Sequence, residues 1–162
     1  MSVLENVMVG CHRRMRATLL EVMLGLKRVL KEHKETRERA MEKLSLLGLA
    51  DRAHDMPSSL ALKDRKCVAI ARSLATDPDL LLLDEPVGGL TVEEIREVDG
   101  KLKKIREQGV TLLFIEHRME FVMGLSERVV VMQFGQKIAE GTFQEIQQNE
   151  QVITAYLGKS GE

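Results

Sequence analysis

Leu80-Leu81-Leu82-Leu83-Asp84-Glu85-Pro86 decides how this chain is read. Four consecutive leucines predict a parallel strand buried on both faces of a sheet. Two adjacent carboxylates and a proline end the run, and proline cannot extend a central strand. Side chains alternate along a strand, so Asp84 and Glu85 are expected on different sides of its carboxyl end. In a parallel α/β sheet, that end is where ligands bind. One carboxylate there can support a hydrated magnesium ion, and its neighbour can act on an attacking water. The plainer alternative is a strand that stops at a polar turn.

Helical patterns flank the run. Upstream, Cys67, Ile70, Ala71 and Leu74 recur at i, i+3, i+4 and i+7, one apolar helix face. Asp77-Pro78-Asp79 breaks that helix before the leucines. Downstream, Thr91-Val92-Glu93-Glu94 is a capping-box pattern. Ile95, Val98, Leu102 and Ile105 form the inner face of the helix it opens, and Gly109 ends it. Val110–Ile115 predicts a second buried strand, again ending in polar residues, Glu116 and His117.

With these elements in place, the chain resembles the ATP-binding subunits of ABC transporters. IARSLATDPDLLLLDEP is similar to that family's post-signature helix and Walker B strand. FIEHRMEFVMGLSERVVVMQFGQKIAEGTFQEI is similar to its switch-histidine segment and the residues after it. The opening MSVLENVMVG and the closing VITAYLG resemble the ATPases of branched-chain amino-acid importers. The implied fold is α/β, an incomplete P-loop NTPase of the ABC type. It reads as one partial domain over 1–162, with residues 1–60 most of the helical subdomain and 61–162 carrying the rest.

The resemblance also implies roles. Asp84 would support the magnesium ion through water. Glu85 would be the general base that polarises the attacking water, and His117 would hydrogen-bond the γ-phosphate. Gly88-Gly89-Leu90-Thr91 would occupy the D-loop that crosses the dimer interface, with Thr91 where the family usually has an acidic or amide residue. Phosphoryl transfer depends on positioning and charge stabilisation, which suits these residue types. Leu60-Ala61-Leu62-Lys63-Asp64 aligns with the family's signature loop, typically LSGGQ. Ala61 lacks the usual hydroxyl, and Leu62 places a β-carbon where close backbone approach is wanted. Lys63 and the helix amino terminus after it retain an attraction for phosphate.

The expected cofactors are ATP and Mg2+ in the complete ATPase. The expected partners are a second ATP-binding subunit, as a homo- or heterodimer, and transmembrane permease subunits docked on the helical subdomain. The implied location is cytoplasmic, peripheral on the inner face of the cytoplasmic membrane.

Composition agrees with a single globular domain: 162 residues, 44% hydrophobic, net charge −1. That charge balance and 3% aromatics give no basis for nucleic-acid binding. A repair ATPase with a similar Walker B is disfavoured by the lack of a coiled-coil insertion or basic patch. No apolar run reaches the roughly 20 residues a membrane span needs, and the amino terminus has no signal-peptide pattern. Cys11 and Cys67 form no CxxC and read as reduced packing residues.

Along the rest of the chain, residues 1–10 allow a short helix. Met15, Leu19, Val22, Met23 and Leu26 form a helical stripe. Lys31–Arg39 is a mixed charge run, with Glu35 and Arg39 placed to pair. Met41, Leu44 and Leu47 turn inward before Gly48, and Pro57-Ser58-Ser59 is a loop. Arg128–Met132 and Lys137–Ala139 are strands joined at Phe134-Gly135-Gln136. Thr142 opens a helix, and Val152, Ile153, Tyr156 and Leu157 give a last helix its packing face.

A phosphate loop of the form GxxxxGK[ST] is what the family needs and what these residues lack. The only GK[ST] is Gly158-Lys159-Ser160, and Ile153 stands where the first glycine belongs. In the family, the phosphate-loop strand lies between the strands at 111–115 and 129–132, and another flanks 80–84. Bare strand edges are the expected result, and the chain reads as a fragment or truncated form of a longer ATPase. The alternative function is a non-catalytic interaction module that docks on transporter subunits without binding ATP itself.

Overall fold

The computed structural model describes residues 1–14 and 27–157. They fall into two compact units, Met1–Ile115 and, from Glu116 onward, a second. The predicted helical stripe from Met15 to Leu26 and the tail motif Gly158–Ser160 lie outside the described residues.

The first unit opens with helix α1 (Val3–Gly10) and a 3-10 turn at Cys11–Arg14. Ser2 and Glu5 form a reciprocal capping box that starts α1. This S-x-x-E pattern is a sequence signal that periodicity alone misses. Helix α2 (Lys27–Leu46) buries Thr36, Ala40 and Leu44. Its charge run is solvated: Lys31–Glu35 and Lys34–Glu38 pair at 3.9 Å, so Glu35 is engaged from its amino-terminal side. Pro57–Ser59 is a 3-10 turn where a plain loop was expected.

Helix α3 (Leu62–Leu74) buries the predicted Cys67, Ile70, Ala71 and Leu74, together with Val68. It packs against α1 and α2. After Asp77-Pro78-Asp79 comes β1 (Leu80–Asp84), then helix α4 (Val92–Glu107) and β2 (Thr111–Ile115). Helix α4 buries all four predicted residues, Ile95, Val98, Leu102 and Ile105. β1 and β2 pair in parallel, with Leu80 beside Thr111 and Asp84 beside Ile115.

One expectation fails here. The leucine strand is covered on one face only: Leu81 is buried, whereas Leu82 is 66% exposed. On β2, Leu113 and Ile115 are likewise exposed. Among the described residues the sheet has two strands, so each keeps an unpaired edge. A run of leucines reports what a strand can bury, not how many layers are present to bury it.

In the second unit, α5 (Met119–Leu125) precedes an antiparallel hairpin, β3 (Val129–Gln133) and β4 (Gln136–Gly141), turning at Phe134-Gly135. Helices α6 (Phe143–Gln147) and α7 (Glu150–Leu157) complete it. Ala139, Ile146 and Val152 form its buried cluster, against Val129, Val131 and Ile138. Thr142 caps α6 through a second capping box, with Glu145. Ile153, expected inside, is exposed.

Candidate functional site

The carboxyl end of β1 is shaped by a backbone reversal. β1 stops at Asp84, and Glu85 takes φ +43°. A left-handed conformation costs a non-glycine residue about 1–2 kcal/mol, so the surroundings must hold it. The strand alternation expected to separate Asp84 from Glu85 therefore ends one residue early. Hydrogen bonds to the Glu85 backbone fix the turn. Glu85 N–H donates to the Ile115 carbonyl (3.0 Å), continuing the parallel ladder by one bond. The Glu85 carbonyl accepts from Gly88 N–H (3.1 Å) and from Lys66 Nζ (2.7 Å).

Both carboxylates of the pair are exposed. The Glu85 side chain lies over Gly88, where a β-carbon would stand 3.3 Å from Glu85 Oε2. Asp84 lines a shallow cavity of about 280 Å3 with Lys66, Ser73, Leu82 and Pro86. Among the described residues, no group of three or more His, Cys, Asp or Glu could hold a metal ion. Asp84 therefore fits a magnesium ion only as that ion is usually held: one carboxylate, several waters, and substrate phosphates.

Residues 60–64 lead into and open α3. Leu60 is buried, and Ala61 is the N-cap of α3 with no side-chain bond to it. Lys63 donates to Glu97 of α4. That hydrogen bond lowers the Glu97 carboxyl below its ordinary value and raises the Lys63 ammonium above its own. Leu62 reaches Gly89: a β-carbon at Gly89, whose φ is +77°, would sit 3.0 Å from Leu62 Cδ2. Asp64 lies in the first turn of α3.

The structure thus brings 60–64 and 88–91 together. Within 88–91, Leu90 is buried. Thr91 is the N-cap of α4, accepting from Glu94 N–H (3.3 Å) while its own N–H donates to Glu94 Oε2 (2.9 Å). His117 belongs to the second unit, with a side chain 67% exposed. Glu116 Oε2 accepts from the amides of His117 (3.0 Å) and Arg118 (3.3 Å), just before α5.

Sequence reasoning missed Lys66 and the Leu62–Gly89 contact. Lys66 stands two positions after residues 60–64 and carries no periodic or motif signal of its own. Its role depends on meeting the carbonyl of Glu85, nineteen residues later, and spacing does not reveal a contact of that kind.

A parallel strand pair covered on one face, flanked by helices and carrying two carboxylates at its carboxyl end, defines a partial α/β fold. A family model described as ABC transporter matches residues 1–88, and the chain belongs to that family. A second model, described as branched-chain amino acid ATP-binding cassette transporter, matches residues 136–162.

The chain is 37% identical over 161 residues to the high-affinity branched-chain amino acid transport ATP-binding protein LivG of Salmonella typhimurium, covering 99% of this chain and 63% of LivG. It is similar in structure to MJ1267, an ATP-binding cassette of an ABC transporter in its ADP conformation: TM-score 0.79, 28% identity, 98% of this chain and 63% of that one. MJ0796, a bacterial ABC transporter cassette in a dimeric structure, matches at TM-score 0.70 and 27% identity, over 88% of this chain and 57% of that one. The chain therefore spans less than two thirds of the length of these relatives. The fold is that of an incomplete P-loop NTPase of the ABC type.

Proposed function

We propose that this chain supplies the hydrolytic portion of an ATP-binding subunit of an ABC transporter that imports branched-chain amino acids. The observation that carries the reading is the end of β1: an exposed Asp84, then a Glu85 pinned by its backbone in a left-handed turn. LivG's similarity and the family model matching 136–162 support the solute class.

In this proposal, Glu85 accepts a hydrogen bond from the attacking water and draws its proton away as the water closes on the γ-phosphate. Asp84 would hold a magnesium ion through water, and that ion would supply charge neutralisation on the phosphates. His117 donates to the γ-phosphate. Residues 60–64 and 88–91 face the nucleotide of a second ATP-binding subunit; the dimeric structure of the MJ0796 cassette supports the pairing of two such subunits. The two units are parts of one partial ATP-binding domain, with residues 1–60 contributing most of the helical subdomain that meets permease subunits. The working place is peripheral, on the cytoplasmic side of the membrane; among the described residues, no helix is long and apolar enough to cross it.

A second reading is favoured by two observations: Ala61 gives α3 no side-chain cap, and Lys63 is engaged by Glu97. On that reading, the chain is a non-catalytic module that docks on transporter subunits. ATP turnover by the assembled transporter separates the two. Glu85→Gln should reduce turnover on the order of a hundredfold or more while nucleotide still binds; unchanged turnover would support the docking module.

A further inference from the structure

We propose that Lys66 is a positioning residue that holds Glu85 in its left-handed turn. The inference rests on the reading of Glu85 as the general base and adds a residue to it.

Glu85 is exposed, so burial does not hold its unfavourable backbone in place. Three hydrogen bonds act on that backbone. Two of these are local or part of the sheet: the ladder bond to Ile115 and the turn bond from Gly88. The first fixes the peptide before Glu85 and the second closes the turn, and both lie within the sheet and the turn themselves. The third comes from a separate element. Lys66 Nζ, on α3, donates to the Glu85 carbonyl at 2.7 Å.

The anchor is firm at its other end. Lys66 adjoins Cys67 and Val68, both buried, so the helix bearing the lysine is fixed in the core. The lysine itself is half-buried along the cavity that Asp84 and Pro86 also line. Its bond is to the carbonyl, the atom that Gly88 also engages, and it ties the peptide plane after Glu85 to α3. A bond from a charged donor is stronger than a neutral one, which suits a clamp on an exposed turn.

The test compares Lys66→Met, which keeps the stem and loses the donor, with Lys66→Arg, which keeps a charged donor. On the chain without nucleotide, amide exchange at Gly88 and the Glu85 carbon chemical shifts report the turn. Lys66→Met should speed Gly88 exchange on the order of tenfold and move the Glu85 shifts toward extended values; Lys66→Arg should restore both. In the assembled transporter, Lys66→Met should lower kcat with KM for ATP unchanged, and Lys66→Arg should recover it. Wild-type shifts and exchange in Lys66→Met would overturn the proposal, as would altered shifts with an unaltered kcat. Full turnover in Glu85→Gln would instead overturn the base assignment, and the exchange data would still judge the clamp.

Discussion

The carbonyl oxygen of Arg72 occupies the space that a β-carbon on Gly10 would need. Helices α1 and α3 touch through this gap, backbone against backbone. Alanine normally stabilises a helix over glycine by about 0.5–1 kcal/mol. At this site the sign should reverse, with Gly10→Ala costing about 1–3 kcal/mol through overpacking. Gly100, in α4, has none of the described residues within 4 Å of its β-position, so Gly100→Ala should show the ordinary gain. Urea unfolding of both variants checks the pair, and a stabilised Gly10→Ala would refute the close approach.

Thr91 caps α4, and its hydroxyl and amide are both engaged with Glu94. Thr91→Ala should cost about 1 kcal/mol, while Thr91→Ser should retain most of the stability. Thermal unfolding of the two variants provides the check. Equal losses in both would mean that the hydroxyl is not the capping group.

Glu5 and Glu145 close capping boxes, and their carboxyls lie below the ordinary value of 4.5, chiefly through the backbone N–H of Ser2 and of Thr142. A lowered folded-state pKa adds stability that is present above the unfolded value and lost as pH falls through the folded one. The loss should therefore appear on the acid side of pH 4.5. Glutamine can take the same capping position without titrating. The double variant Glu5→Gln, Glu145→Gln should flatten the midpoint-versus-pH curve below that point. A curve as steep as wild type would contradict the assignment.

Among the described residues, the bare face of the β1–β2 pair presents Leu80, Leu82, Leu113 and Ile115 to solvent beside two unpaired edges. Such surfaces promote association. Replacing Leu82 by Lys and Leu113 by Glu should reduce self-association in sedimentation and leave the unfolding free energy within about 1 kcal/mol. Leu81→Ala, on the covered face, should cost about 2–5 kcal/mol. Undiminished association in the double variant would place the sticky surface elsewhere.

Much of the fold is legible because helices announce their buried faces by period. The inner residues of α3 and α4 can be named from the sequence, and each is buried. The strand at 80–84 is legible as well, from its apolar run and the proline after it. What covers a strand is not written in the strand, so the exposure of Leu82 is hidden from sequence reasoning. The left-handed Glu85 is equally hidden, because it depends on a carbonyl meeting Lys66 from another element. Of the candidate site, the residue types at 84, 85 and 117 can be named, and so can the altered residues at 60–64. The engagement of Lys63 by Glu97 and the seating of Leu62 on Gly89 depend on the packing of α3 beside α4.

On the proposed function, these residues take the hydrolytic side of a nucleotide site and not its phosphate grip. Calorimetric titration of magnesium-ATP into the purified chain 1–162, with Glu85→Gln alongside to suppress turnover, tests that assignment. No saturable heat is expected up to millimolar nucleotide. Micromolar binding would contradict the assignment, and would mean that residues of this chain grip the phosphates in some other way.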